Sequence, residues 1–171
     1  EGFAVEMFEM RPKRLTGAHE GGGLAELVWS NSLKSTQPET ASGLLKEELD
    51  LLGSRLLPLA RECAVPSGSA LAVDREQFSL AVERALCGHD DFILHKNEEV
   101  TSLEDGVPTI IATGPLTSPD FADYLAKLTG QDRLFFYDAI APIVSFDSVD
   151  MDKAYFGGRY GKGGDDYLNL P

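Results

Sequence analysis

The sequence predicts an α/β fold. Three observations carry that reading. Short apolar runs at Val5–Met10, Ala70–Val73, Phe92–His95 and Thr109–Ala112 each stop at a turn or capping residue, as strands do. Between them lie stretches whose apolar residues recur at helical spacing, and helices alternating with short strands build an α/β sheet. After residue 138 the pattern changes to strand-like runs separated by glycine turns, the start of a second, β-rich unit.

Each element has a local reason. The first strand, from Val5 to Met10, ends before Arg11-Pro12, because proline disfavours helix in the residue before it. A loop follows over 13–23, with Gly17 and the run Gly21-Gly22-Gly23. From Thr40, Leu44, Leu45, Leu49, Leu51 and Leu52 put apolar side chains on one helical face. The pattern reaches Cys63, interrupted or bent at Gly53 and Pro58. Val65-Pro66-Ser67-Gly68-Ser69 is a turn and Ala70–Val73 a strand. Asp74, with Gln77 three residues on, has the form of a capping box, and its helix ends at Gly88. Phe92–His95 is a strand, and Glu99–Leu103 another that turns at Asp105-Gly106. Thr109–Ala112 is a buried strand broken by Thr113-Gly114-Pro115. Ser118-Pro119 opens a helix with a cap followed by proline at the first helical position, and it runs to about Gly130. Ala139–Phe146 and Ala154–Phe156 read as strands, with turns at Gly157-Gly158 and Gly161–Gly164. The first strand begins at once and Tyr167–Pro171 stops mid-pattern, so the sequence reads as part of something longer.

Composition narrows the classes. The 171 residues are 43% hydrophobic and 25% charged, ordinary for a soluble globular protein. No apolar run is long enough to span a membrane. Cys63 and Cys87 have no ligand spacing and read as reduced thiols of a cytoplasmic protein. His19, His89 and His95 form no metal pattern, so no metal is expected. The net charge of −13 argues against a broad polyanion-binding surface. Residues 1–36 are more balanced, with four basic residues against five acidic ones, while the remainder carries 11 against 23. A phosphate-binding patch would therefore lie around Arg11–Arg14, unless these are solvated loop charges.

Several residues suit a cofactor or substrate. Trp29, the only Trp, directly precedes Ser30, Asn31 and Ser32. An aromatic body beside small hydrogen-bonding groups suits a planar ligand, and suits equally a core Trp before a helix cap. Glu9 ends the first strand, where an acid in a dinucleotide-binding fold accepts the adenosine ribose hydroxyls. Acids at strand ends are also common without ligands. Only eight residues precede Glu9, whereas the glycine-rich phosphate turn belongs about 20 residues upstream. Ala112-Thr113-Gly114 lets backbone approach a cofactor, since Gly114 adds no side chain. Val100 has an adenine-facing reading and a core reading. Asp74 and Arg75 read first as a helix start.

Motifs in order along the chain now add up. They are Phe8-Glu9-Met10-Arg11-Pro12, Ala25-Glu26-Leu27-Val28 with Ser30-Asn31-Ser32-Leu33, Leu45-Lys46-Glu47-Glu48, Glu62-Cys63-Ala64-Val65-Pro66 and Ala70–Arg75. Ile110–Ser118, Phe136-Tyr137-Asp138-Ala139, Ala141–Val144, Asp150–Lys153 and Tyr167-Leu168-Asn169 follow. Together they resemble the folate- and FAD-dependent tRNA (uracil-5-)-methyltransferases (TrmFO), relatives of the GidA flavoproteins, over essentially the whole chain.

That resemblance implies a partial glutathione-reductase-type, Rossmann-like FAD-binding domain over 1–138 and the start of a β-rich insertion domain over 139–171. It implies FAD as cofactor, methylenetetrahydrofolate as carbon donor, NAD(P)H as electron source and 5-methyluridine in the T-loop of tRNA as product. Ribosomal RNA is the other possible target, and oligomeric state is open. By resemblance, Glu9, Arg11, Val100, Ala112, Thr113 and Gly114 would bind FAD. Ser30, Asn31, Ser32, Asp74 and Arg75 would lie near flavin or substrate. Trp29 stands where the family carries an active cysteine, and a second such cysteine belongs to a segment downstream of Pro171. The alternatives are a paralogue with lapsed or altered chemistry that binds flavin or RNA, and another FAD-dependent oxidoreductase. This chain alone is expected to be inactive.

Overall fold

The computed structural model describes residues 3–28, 30–130, 144–158, 164–165 and 167–169. The chain forms two compact units: Glu1–Gly23 with Ala85–Ile140, and Leu24–Arg84 with Ala141–Pro171. The predicted α/β character holds. Within the second unit, residues 24–84 pack with the C-terminal segment.

The first unit is built on two parallel strands, β1 (Val5–Glu9) and β5 (Phe92–Lys96), paired from Val5↔Phe92 to Glu9↔Lys96. Register partners on parallel strands share a face. Phe8 and His95 therefore stack, with ring centroids 4.4 Å apart. The final helix, α4 (Pro119–Thr129), buries Phe121 and Leu125 and stops at Gly130, which takes the left-handed conformation at φ 67°. Glycine adopts that conformation without a Cβ penalty.

The second unit holds an antiparallel sheet in the order β2 (Ser32–Ser35), β4 (Ala70–Val73), β3 (Ala64–Val65). Helices α1 (Ala41–Leu51) and α2 (Leu56–Glu62) pack on β2 and β4. Leu57, Ala60, Leu71, Ala72 and Val73 are buried, and so are Phe78 and Val82 of α3 (Arg75–Cys87). Each large apolar side chain so buried contributes about 1.5–3 kcal/mol against exposure. Lys46 is buried too, its Nζ donating to the carbonyls of Ser35 and Ser42 at 3.0 Å. Burial lowers its pKa. A small hairpin, β6 (Tyr155–Gly157) with β7 (Tyr167–Asn169), belongs to the same unit. Tyr167 Oη donates to the Ser67 carbonyl at 2.6 Å.

The expected interruption at Gly53 is present: the pattern over 40–63 is two helices, parted there with φ 77°. Four other expectations need correction. Pro58 does not bend α2, because it sits in the first turn, where no intrahelical N–H bond is due. Glu99–Leu103 is not a strand. Asn97 takes φ 65° and ends β5, and the Glu98 N–H then turns back to the Glu9 carbonyl at 3.2 Å. Thr109–Ala112 is neither strand nor buried, and Ile110 is 93% exposed. An apolar β-branched run becomes a strand only where a neighbour supplies a ladder and cover. Among the described residues of this unit only β1 and β5 pair. Finally, Phe146 opens a short 3-10 turn (Phe146–Ser148), and Gly157 belongs to β6. The expected elements at 139–143 and 161–163 lie outside the described residues.

Candidate functional site

In open α/β sheets ligands bind beyond the carboxyl ends of parallel strands. The first unit places its most elaborate polar cluster there. Glu9 closes β1, and Asn97 to Val100 follow β5. The Glu9 Oε1 accepts from the Arg11 backbone N–H at 2.9 Å and from Arg11 Nε at 3.0 Å. Its Oε2 accepts from Arg11 Nη2 at 2.8 Å. Arg11 is 6% exposed and donates also to the Gly23 carbonyl at 3.1 Å. Burial raises the Glu9 pKa, but hydrogen bonds from the Arg11 side chain and backbone, with the charges of Arg11 and His19, outweigh it. The net shift is downward, so Glu9 is an anion at neutral pH. Among the described residues Oε2 accepts only the Arg11 bond, which leaves an acceptor lone pair for a hydroxyl.

Beside this pair lies a second network that the sequence did not single out. Arg14 Nη1 meets both carboxylate oxygens of Glu99 at 2.6 Å and Asp120 Oδ2 at 3.4 Å. Hydrogen bonding to these acids raises the Arg14 pKa. Arg14 and the Ser118 hydroxyl in turn hold the Glu99 carboxyl below its ordinary value. Ser118 occupies the cap position of α4 but caps no backbone N–H. This network ties the loop after β1, the loop after β5 and the start of α4 together. It borders a cleft of about 290 Å³ lined by Met10, Arg14 to Gly17 and Leu116 to Pro119. No short-range signal reveals it, since Arg14 and Glu99 are 85 residues apart. Two of the three cations that had suggested a phosphate patch, Arg11 and Arg14, face carboxylates.

Val100 is half-buried in the loop after β5, one residue beyond Glu99. Ala112, Thr113 and Gly114 are exposed. Gly114 has φ 64°, and nothing lies within 4 Å of where its Cβ would be. Thr117 Oγ1 donates to the Gly114 carbonyl at 2.8 Å. The Ala-Thr-Gly backbone is therefore open, though no buried strand leads into it.

The remaining candidates belong to the second unit, where the structure gives them local duties. Asn31 pairs with Val73 twice: the Val73 N–H donates to its carbonyl at 3.0 Å, and its Nδ2 donates to the Val73 carbonyl at 3.1 Å. Ser30 Oγ accepts from the Ser32 N–H, and Ser32 Oγ from the Lys34 N–H, each at 3.1 Å. These are turn-forming uses of small hydroxyls, and among the described residues neither O–H donates. Asp74 caps α3, accepting from the Gln77 N–H at 2.9 Å. Arg75 is the first residue of α3. Trp29 lies outside the described residues. Cys63 is half-buried and Cys87 exposed, and both are free thiols. Among the described residues no cluster of three or more His, Cys, Asp or Glu is placed to hold a metal. No described helix is long and apolar enough to cross a membrane.

Comparison with known proteins gives a consistent result. Residues 1–171 match the family described as glucose inhibited division protein A. Among curated proteins, the chain is 50% identical over 171 residues to a methylenetetrahydrofolate–tRNA-(uracil-5-)-methyltransferase TrmFO of Natranaerobius thermophilus. It is 51% identical over 171 residues to the protein of that name from Syntrophomonas wolfei, and 51% identical over 170 residues to that from Moorella thermoacetica. The matches cover 99–100% of this chain and 39% of each relative. The chain thus spans about two fifths of the length of the curated relatives it matches.

Proposed function

The chain belongs to the glucose inhibited division protein A family, and on that premise we propose that it serves folate-dependent methylation of uracil C5 in tRNA, with FAD as cofactor and NAD(P)H as electron source. Identity of about 50% along all 171 residues to enzymes named for that reaction is the observation that carries the proposal. The proposed setting is cytoplasmic, with 1–138 as cofactor domain and 139–171 as the beginning of an insertion.

The first unit fits the adenosine end of FAD. Glu9 is a fixed anion with an acceptor site left over, which matches a ribose hydroxyl donor. It stands at the carboxyl end of a parallel strand, and Val100 follows the partner strand. The open backbone at Ala112–Gly114 suits close passage of the cofactor. When bound, FAD would carry electrons from the nicotinamide cofactor to the folate-derived carbon. The chain's own residues would bind and orient: Glu9 by the ribose, Arg11 by holding Glu9, and Ser30 and Ser32 through their remaining O–H donors.

Trp29 favours a second reading. An indole cannot act as the nucleophile a thiolate provides, so a lapsed or altered enzyme of the same fold follows if the cysteine at that position is essential. One experiment separates the two. The full-length protein is incubated with tRNA transcript, labelled methylenetetrahydrofolate and NADH, and label in the T-loop uridine is counted for the wild type and for Trp29→Cys. Label with the wild type supports the methyltransferase. Label only with Trp29→Cys supports the lapsed enzyme. No label with either, while NADH still reduces bound flavin, supports an oxidoreductase of the same fold.

A further inference from the structure

The run Gly21-Gly22-Gly23 has no part in the function proposed so far, yet the structure gives two of these glycines a specific task. A Cβ on Gly22 would lie 2.7 Å from Pro12 Cδ and 2.9 Å from Pro12 Cβ. Only glycine lets the returning chain press this closely on the proline ring. That approach brings the Gly23 carbonyl to Arg11 Nη2 at 3.1 Å. Arg11 is therefore held from both sides, by the Gly23 carbonyl behind and by the Glu9 carboxylate in front. Its guanidinium spans the carboxylate as a fork, Nε to one oxygen and Nη2 to the other. A fork fixes the plane of a carboxylate as well as its charge.

We propose that Arg11 is a positioning residue: clasped by the close approach of Gly22 and Gly23 to Arg11-Pro12, it fixes the plane of the Glu9 carboxylate so that Oε2 presents its remaining lone pair to the adenosine ribose. This rests on the FAD reading given above, and it differs from a direct cofactor contact by Arg11. The guanidinium engages both Glu9 carboxylate oxygens and the Gly23 carbonyl, and the role assigned to it passes through Glu9. Charged groups facing the Glu9 carboxylate are Arg11 and His19 of the same loop. On the neighbouring strand Lys96 is its register partner, and Glu98 follows, its N–H bonded to the Glu9 carbonyl.

The test uses the full-length protein and reads binding, not turnover. Flavin fluorescence is titrated with FAD and with an FAD analogue lacking the adenosine ribose 2′-hydroxyl, between pH 5 and 8. A charge-assisted hydrogen bond to the ribose should make the wild type prefer FAD by about tenfold or more. That preference should be flat with pH, because Glu9 stays ionised throughout. Arg11→Met should bring the preference close to one. Whatever remains should weaken as the pH falls from 7 to 5, since burial then raises the Glu9 pKa without opposition from Arg11. The same comparison in a His19→Gln background removes the other charged neighbour of Glu9. Arg11→Lys keeps the charge without the fork and should lie between. Gly22→Ala, which loosens the clasp while leaving Arg11 in place, should lower the preference as well. Circular dichroism confirms that each variant is folded, and Arg11→Lys decides the matter if Arg11→Met is not. Wild-type preference and pH profile in folded Arg11→Lys and Arg11→Met would overturn the inference. A wild type that binds no FAD, or binds both ligands alike, would overturn the FAD reading itself and the inference with it.

Discussion

Two residues show how far single positions govern this fold. Gly43 lies inside α1, where glycine costs about 1 kcal/mol relative to alanine. Propensity alone says Gly43→Ala should stabilise. The structure reverses the sign, because a Cβ there would sit 1.8 Å from the Gln37 carbonyl oxygen. That backbone belongs to the tight turn entering α1, where the Thr40 hydroxyl donates to Gln37 and accepts from the Gly43 N–H. Gly43→Ala should therefore lose about 1–3 kcal/mol net, the usual cost of overpacking, measured by urea denaturation. Glu9 is the second case. Its folded pKa lies below the ordinary 4.5. The stability it contributes is complete above that value and is lost as the pH falls through the lower, folded value. Glu9→Gln should flatten that part of the acid-unfolding curve. At neutral pH it should cost about 3 kcal/mol, because it removes the carboxylate that faces the buried Arg11 guanidinium. An acid curve unchanged by Glu9→Gln would show that the pair does not couple to folding.

At the scale of elements, local chemistry was legible and long-range pairing was not. Ala70–Val73 and the helix after it were readable because pattern and cap agree at Asp74. Asp74→Ala should cost about 1 kcal/mol in a thermal melt. Ser118→Ala tests the opposite case. Ser118 looks like the same kind of cap in sequence, but caps no N–H and bonds Glu99 instead. Its loss should leave α4 helicity unchanged and raise the Glu99 pKa toward its ordinary value, read by carboxylate NMR titration. Thr109–Ala112 misled for a complementary reason. A run of threonine and isoleucine specifies strand propensity, but a strand needs a ladder partner, and propensity carries no information about the partner. The same limit applies to the candidate site. Glu9 could be picked out from its place at a strand end. The tie between Arg14, Glu99 and Ser118 joins three loops far apart in sequence, and only the folded chain shows it.

Charge is the property that belongs to the molecule as a whole. The net charge is −13, and several of the described cations are held by acids or carbonyls. Arg11 is paired with Glu9, Arg14 with Glu99 and Asp120, Arg61 with Asp50, and Lys153 with Asp150. Lys46 is buried against carbonyls. Each phosphate a protein neutralises adds about −0.9 to the slope of log K against log salt on a duplex, and about −0.7 on a single strand. With 15 cations against 28 acids, a tRNA T-arm hairpin should bind this chain with a slope shallower than about −3. Fluorescence anisotropy from 50 to 200 mM salt, a range chosen because steep binders lose orders of magnitude within it, measures that slope directly. A shallow slope means that binding of the hairpin by this chain owes little to phosphate attraction. A slope near −6 would require several cations gathered on one basic surface, and would contradict the expectation drawn from the excess of acids.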